Sequence, residues 1–210
     1  MPEDIQVAKP EQITAPEGID PKVELSDVGK TLAEQKAVGQ AARDASAAAM
    51  KEWGDASRAA TGGGGGTGTS SGERAARWVL RFNHASVPDY LRQLDGLGAT
   101  IAFPTDGGKY RYFNDPSAPN PRSEVRGVDP GSQVFWINDD AATAANVCQH
   151  LRIPVAPFMV ALLPKQLEGR MADLEKAYQG LAENEIASTQ FEVVFRGGMY
   201  DVFVASQTRR

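Results

Sequence analysis

Gly107-Gly108-Lys109-Tyr110-Arg111-Tyr112-Phe113 and Gly197-Gly198-Met199-Tyr200-Asp201-Val202-Phe203 are the two stretches on which the fold turns. Both read Gly-Gly-x-Tyr-x-x-Phe. Paired glycines supply the positive φ of a tight hairpin turn. A Tyr and a Phe three positions apart point to opposite faces of a strand, so the two are not expected to serve one site. The same order of elements precedes each hairpin. In the first unit, RWVLRF (77–82) reads as a strand, then a helix, then the strand ATIAF (99–103) and the turn Asp106-Gly107-Gly108. In the second, FMVALL (158–163), a helix, QFEVVF (190–195) and Arg196-Gly197-Gly198 follow the same plan. Each unit is β-α-β-β, and each helix has a proline near its start (Pro88, Pro164) with a leucine three residues on (Leu91, Leu167). Two copies of one stable building unit explain the pattern; a duplicated binding surface and chance similarity are the alternatives.

Ser86 and Asp89 form a capping-box-like start to the first helix, whose apolar face is Val87, Tyr90, Leu91, Leu94 and Leu97, with Gly98 as its stop. Residues 114–132 hold four prolines and read as a long loop. VFWIN (134–138) reads as a central strand, and Asp139 or Asp140 caps a helix that turns Ala141, Ala144, Ala145, Cys148 and Leu151 inward. Pro154 and Pro157 end it. Pro164 starts the last helix, with Leu167, Met171, Leu174 and Tyr178 at helical spacing. The predicted fold class is α+β: two β-α-β-β repeats flank a central β-α unit, in a mixed sheet with helices mainly on one face. The other face is left exposed or available to bind.

The N-terminal third is different in kind. Residues 1–25 are rich in Pro, Glu and Asp and cannot bury enough surface to offset the entropy of ordering. In 26–60, Ser26 or Asp27 is a plausible cap, and Val28, Leu32, Val38, Ala42, Ala45, Ala49 and Trp53 fall along one helical side. This segment is either a fraying, solvated helix or one that docks on a partner through Val38, Ala45, Ala49 and Trp53. TGGGGGTGTSSG (61–72) has the composition of a flexible coil. It lacks the Gly-Lys-Ser/Thr of a phosphate loop. The expected division is a disordered or partly helical tail, 1–72, with its hinge at 61–72, and a compact domain, 73–210.

Residues 1–72 carry a net charge of −4 and residues 73–210 a net charge of −1. A nearly neutral domain argues against a nucleic-acid partner. With one cysteine, Cys148, no intrachain disulfide forms. No apolar run reaches the roughly 18 residues of a membrane span, and Met1-Pro2-Glu3-Asp4 does not begin a signal peptide. Taken as written the chain is expected in the cytoplasm; if an N-terminal anchor has been removed, the periplasm is expected instead.

Candidate chemistry is sparse, and no catalytic, cofactor or metal residue is assigned. His84 follows the first strand, a common catalytic position, without a visible nucleophile. Cys148 and His150, two apart on a helix, do not share a face. Asn138, Asp139 and Asp140 could hold a divalent cation, but acids at that place equally cap a helix and favour its dipole. Arg74, Arg77, Arg81 and Arg92, interleaved with Trp78 and Phe82, could suggest single-stranded nucleic acid; the neutral charge and the expected burial of Trp78 speak against it. Trp53, Tyr110 and Tyr200 are the candidate interaction residues. The leading expectation is a non-enzymatic protein-interaction domain on a flexible tether. The alternatives are a small metal-dependent hydrolase using His84 and Asp139/Asp140, and a small-ligand module on the free sheet face near Tyr110 and Tyr200.

The stretches RAARWVLRF (74–82), DYLRQLDGLGA (89–99), VFWIND (134–139), LPKQLEGRMADLE (163–175) and FRGGMYDVFV (195–204) carry a resemblance. Over residues 73–207 the chain resembles uncharacterised bacterial proteins with an anchor, a Gly-rich linker and a C-terminal domain, associated with Tol/Exb-type biopolymer-transport components. The resemblance implies a role in the cell envelope, with unidentified protein partners, and implies no catalytic residue.

Overall fold

The computed structural model describes residues 37, 40, 41, 43–56, 74, 77–129, 134–138 and 140–210, with the side chains of 134 and 135 left aside. The expectations for residues 1–36, the hinge at 61–72, Val38 and Asp139 lie outside these residues. The chain divides into two units, Met1–Ala37 and Val38–Arg210, and the elements below belong to the second. They run in the order helix α1 (described over 43–56), β1 (Trp78–Phe82), α2 (Val87–Gly96), β2 (Thr100–Thr105), β3 (Lys109–Phe113), β4 (Ser123–Arg126), β5 (Val134–Asn138), α3 (Ala141–Leu151), β6 (Met159–Leu163), α4 (Lys165–Gln179), β7 (Ile186–Arg196) and β8 (Met199–Arg209).

The fold is α+β, and the order β-α-β-β, β-α, β-α-β-β is present with one added strand, β4. The strands form two sheets. Sheet A has the order β1-β7-β8, with β1 parallel to β7; sheet B has the order β4-β3-β2-β6-β5 and is antiparallel throughout. Each repeat therefore sends its first strand to the other's hairpin: β1 pairs with β7, and β6 pairs with β2. β4 lies in the expected loop. It is a short edge strand of exposed and half-exposed residues, so it carries no alternating apolar pattern that would announce it. β5 is an edge strand rather than a central one. Its apolar run reflects contact on both sides, since Trp136 meets one core and Ile137 the other.

Local signals fix the ends of the elements. The Ser86 hydroxyl accepts the Asp89 N–H at 3.3 Å, and the Asp89 carboxylate accepts the Ala85 N–H at 3.2 Å. Gly98 leaves α2 with φ 74°, and a Cβ there would press on the Pro164 ring. In α4 the buried residues are Glu168, Met171, Ala172 and Glu175, while Leu167 and Leu174 are only partly buried and Tyr178 is exposed. The inward face is rotated from the one that apolar spacing predicts.

The main core joins one face of each sheet to α2, α3 and α4. It contains Trp78, Phe191, Val193 and Val202 from sheet A, and Ile101, Phe103, Phe113, Met159 and Leu163 from sheet B. Strand alternation sends Ala102, Tyr110, Tyr112, Val160 and Leu162 to the opposite face of sheet B. There they form a second core with Ala49 and Trp53 of α1, with Ala45 packed at its margin. No described helix is long and apolar enough to cross a membrane.

Candidate functional site

Alpha-helix α1 lays Ala45, Ala49 and Trp53 along one side at a spacing of four, which is the condition for meeting a flat partner. Its partner is sheet B of the same chain. Trp53 is 0% exposed. Its ring stands edge-on to Tyr110, with centroids 5.2 Å apart, and is tilted against Tyr112 at 6.3 Å. The Tyr110 hydroxyl donates to Glu52 Oε2 at 3.2 Å. Burial, with the nearby Glu52 charge, pushes the Tyr110 phenol up to about 12. The Tyr112 hydroxyl donates to the Gly127 carbonyl at 2.8 Å and accepts the Asp129 N–H at 3.2 Å, and the Arg126 guanidinium lies 4.2 Å from its ring centre. The sheet face left open in the sequence reading is thus covered by α1, which that reading placed in the tail.

Of the three candidate interaction residues, Trp53 and Tyr110 lie together in this second core. Tyr200 is elsewhere. It is half-buried on sheet A, packed on Gly96 so closely that a Cβ at that position would overlap its ring. Tyr200 also meets Phe195 edge-on at 5.1 Å. Phe195 and Met199, at the tip of the β7–β8 hairpin, are each 64% exposed. The outer face of sheet A carries Val79, Arg81, Glu192, Val194 and Phe203, all exposed or half-buried. The tip residues went unnoticed in the sequence, although the signal was there. At the matching positions before and after the paired glycines, the first hairpin has Thr105 and Lys109.

The residues considered for chemistry have other duties. Asp140 caps α3: its carboxylate accepts the Ala142 N–H at 3.2 Å and the Thr143 hydroxyl at 2.6 Å. His84 is exposed, its ring 4.9 Å from that of Tyr90. Cys148 is buried and His150 exposed, and burial pushes the Cys148 thiol up. Among the described residues no group of three His, Cys, Asp or Glu is placed to hold a metal ion.

Arg77 does not join Arg81 and Arg92 on a basic surface. It is buried and paired with Glu175, Nε to Oε1 at 3.0 Å and Nη2 to Oε2 at 2.6 Å. Trp78 Nε1 and the Thr189 hydroxyl donate to the same carboxylate at 2.8 and 2.6 Å. Burial alone would raise the Glu175 carboxyl; the bonds from Arg77, Thr189 and Trp78 outweigh it and hold the group below the ordinary carboxylate range. With every carboxylate oxygen engaged, this cluster fixes α4 to sheet A.

A slot of about 210 Å³ opens between the sheets. Leu80 and Phe82 of β1, Tyr90 and Leu94 of α2, Trp136 and Asn138 of β5, and Met159 and Leu163 of β6 line it. Comparison of the chain with family models, with curated proteins and with solved structures finds no match.

Proposed function

We propose that the folded unit is a non-enzymatic protein-interaction domain, carried by its N-terminal segment in an assembly of the bacterial cell envelope. What supports the interaction reading is the apolar tip of the β7–β8 hairpin. Phe195 and Met199, each 64% exposed, flank a turn that needs only its two glycines to form. Phe195, edge-on to Tyr200, extends the core side of the hairpin, and Met199 extends the outer side with Val79, Val194 and Phe203, which no described helix covers; large apolar groups this exposed at a tip are of the kind partners cover. The envelope assignment rests on the sequence resemblance over residues 73–207.

The test is site-specific photocrosslinking in cells that make the protein, with benzoylphenylalanine at position 195 and, as the control, at position 105 of the other hairpin. A discrete adduct from 195 alone, recovered in the envelope fraction and lost on Met199→Ser, is the expected result. The interaction reading fails if 195 gives no adduct or the same adducts as 105. A specific adduct found only with cytosolic proteins removes the envelope assignment.

A further inference from the structure

We propose that the slot between the two sheets is a binding site for a single-ring, mainly apolar molecule carrying one hydrogen-bond acceptor, which accepts a hydrogen bond from the Tyr90 hydroxyl. The slot is built where an edge strand of each sheet, β1 and β5, contributes to one concave surface. The side chains that line it are aliphatic and aromatic except for Tyr90 and Asn138, and the strands add polar backbone to the wall. A cavity of about 150 Å³ is enough to accept benzene; at about 210 Å³ this slot has room for one ring with a short substituent. Drug-sized ligands occupy pockets of about 300 Å³ or more, so this slot matches a smaller molecule.

The polar end determines the ligand's chemistry. Tyr90 is 5% exposed, and its oxygen accepts a long bond, 3.4 Å, from Asn138 Nδ2. The amide is held in that orientation because its Oδ1 accepts the Asp140 N–H at 3.0 Å. Asn138 therefore turns a donor, not an acceptor, toward Tyr90. Among the described residues the Tyr90 hydroxyl proton has no acceptor. A buried hydroxyl with an unused donor costs free energy that a ligand acceptor recovers. The ring packs edge-on against Phe82, with centroids 5.0 Å apart.

The probes are acetophenone, which has a carbonyl acceptor, and ethylbenzene, which has nearly the same shape and none. Binding is followed by methyl NMR on the full chain. Leu80, Leu94, Met159 and Leu163 report the slot, and Leu162, on the other face of sheet B, serves as the control. Acetophenone should move the four slot methyls saturably and leave Leu162 in place. Tyr90→Phe should weaken acetophenone about fivefold, the worth of one ordinary hydrogen bond, and change ethylbenzene less than twofold. Ala161→Leu should fill the slot and abolish both; if that variant fails to fold, the Tyr90→Phe pair decides alone. The proposal is overturned if neither probe gives saturable shifts, if the shifts lie away from the slot, or if Tyr90→Phe leaves acetophenone unaffected.

Discussion

Tyr110 lies beneath Trp53 with its hydroxyl on Glu52, and Phe113 three residues on is buried in the main core. Tyr200, at the same place after the second pair of glycines, rests on Gly96, and Phe203 sits half-buried on an outer face that no described helix covers. The turns differ as well. In the first hairpin Thr105 pairs with Lys109 across three residues; in the second Arg196 pairs with Met199 across two. Four shared residues thus specify a hairpin, not a surface. What decides each surface is which element lies over it: α1 over sheet B, and nothing described over the outer side of sheet A. The means of attachment differ too. Sheet B is gripped by aromatic and aliphatic packing on both faces, whereas α4 adds a buried ion pair to its apolar packing on sheet A.

The largest loss is expected from breaking that ion pair. Glu175→Ala deprives buried Arg77 of its bidentate partner and should cost about 3–5 kcal/mol in urea unfolding. Replacing both partners, Arg77→Met with Glu175→Leu, should recover most of it. If the double variant is no better than the single one, the cost lies in packing and the contrast between the sheets collapses. The carboxyl is held low when folded, so its contribution is present above the ordinary carboxylate range and is lost as pH falls through that range and below it.

Trp53→Ala comes next, at about 3 kcal/mol, the lower end for losing a buried large aromatic. The lower end is expected because α1 can leave sheet B without dismantling the rest. Hydrogen exchange should show lost protection in α1 and retained protection in β7 and β8. Equal loss in both sheets would make α1 an integral part of the fold and not a detachable cover.

The α+β order, the hairpins and the Ser86 cap were legible because each is local: paired glycines, a capping residue, apolar spacing. The segment 43–56 was legible as an amphipathic helix, since Ala45, Ala49 and Trp53 share one side. That its receptor is Tyr110 and Tyr112 was not, because a Gly-rich stretch between helix and sheet carries no information on where the helix goes. The inward face of α4 was misjudged for a different reason. Periodicity treats Glu168 and Glu175 as outward, and only the distant donors Arg77, Trp78 and Thr189 make Glu175 tolerable inside. The split into two sheets was hidden likewise, because exchange of the first strands between repeats is a long-range pairing that neither repeat records by itself.

Gly96→Ala tests the second hairpin. Helix propensity alone would favour alanine by about 1 kcal/mol. The added methyl overlaps the Tyr200 ring, which the hairpin holds from the other side, so a net loss of about 1–2 kcal/mol is expected. Adding Tyr200→Ala should make the glycine substitution neutral or favourable. A loss that persists in the double variant would mean that the seat of Tyr200 is not what Gly96 provides.

Tyr110→Phe is the smallest change and the most specific to sheet B. It removes the 3.2 Å bond to Glu52 and keeps the ring against Trp53, for about 1 kcal/mol at neutral pH. The pH dependence separates this from simple repacking. Folded Tyr110 titrates at about 12 against an ordinary value of 10.0, so the folded state favours the protonated phenol. Its contribution is complete below pH 10 and is lost as pH rises through about 12. The wild type should therefore lose stability relative to Tyr110→Phe across that interval, and the gap between the two should narrow or reverse. Because the phenol is protected by α1, Trp53→Ala should lower the pH at which Tyr110 ionises, as read from tyrosinate absorbance. An unchanged titration would show that sheet B keeps Tyr110 dry without its helix, and the cover would then matter for packing and not for the charge state beneath it.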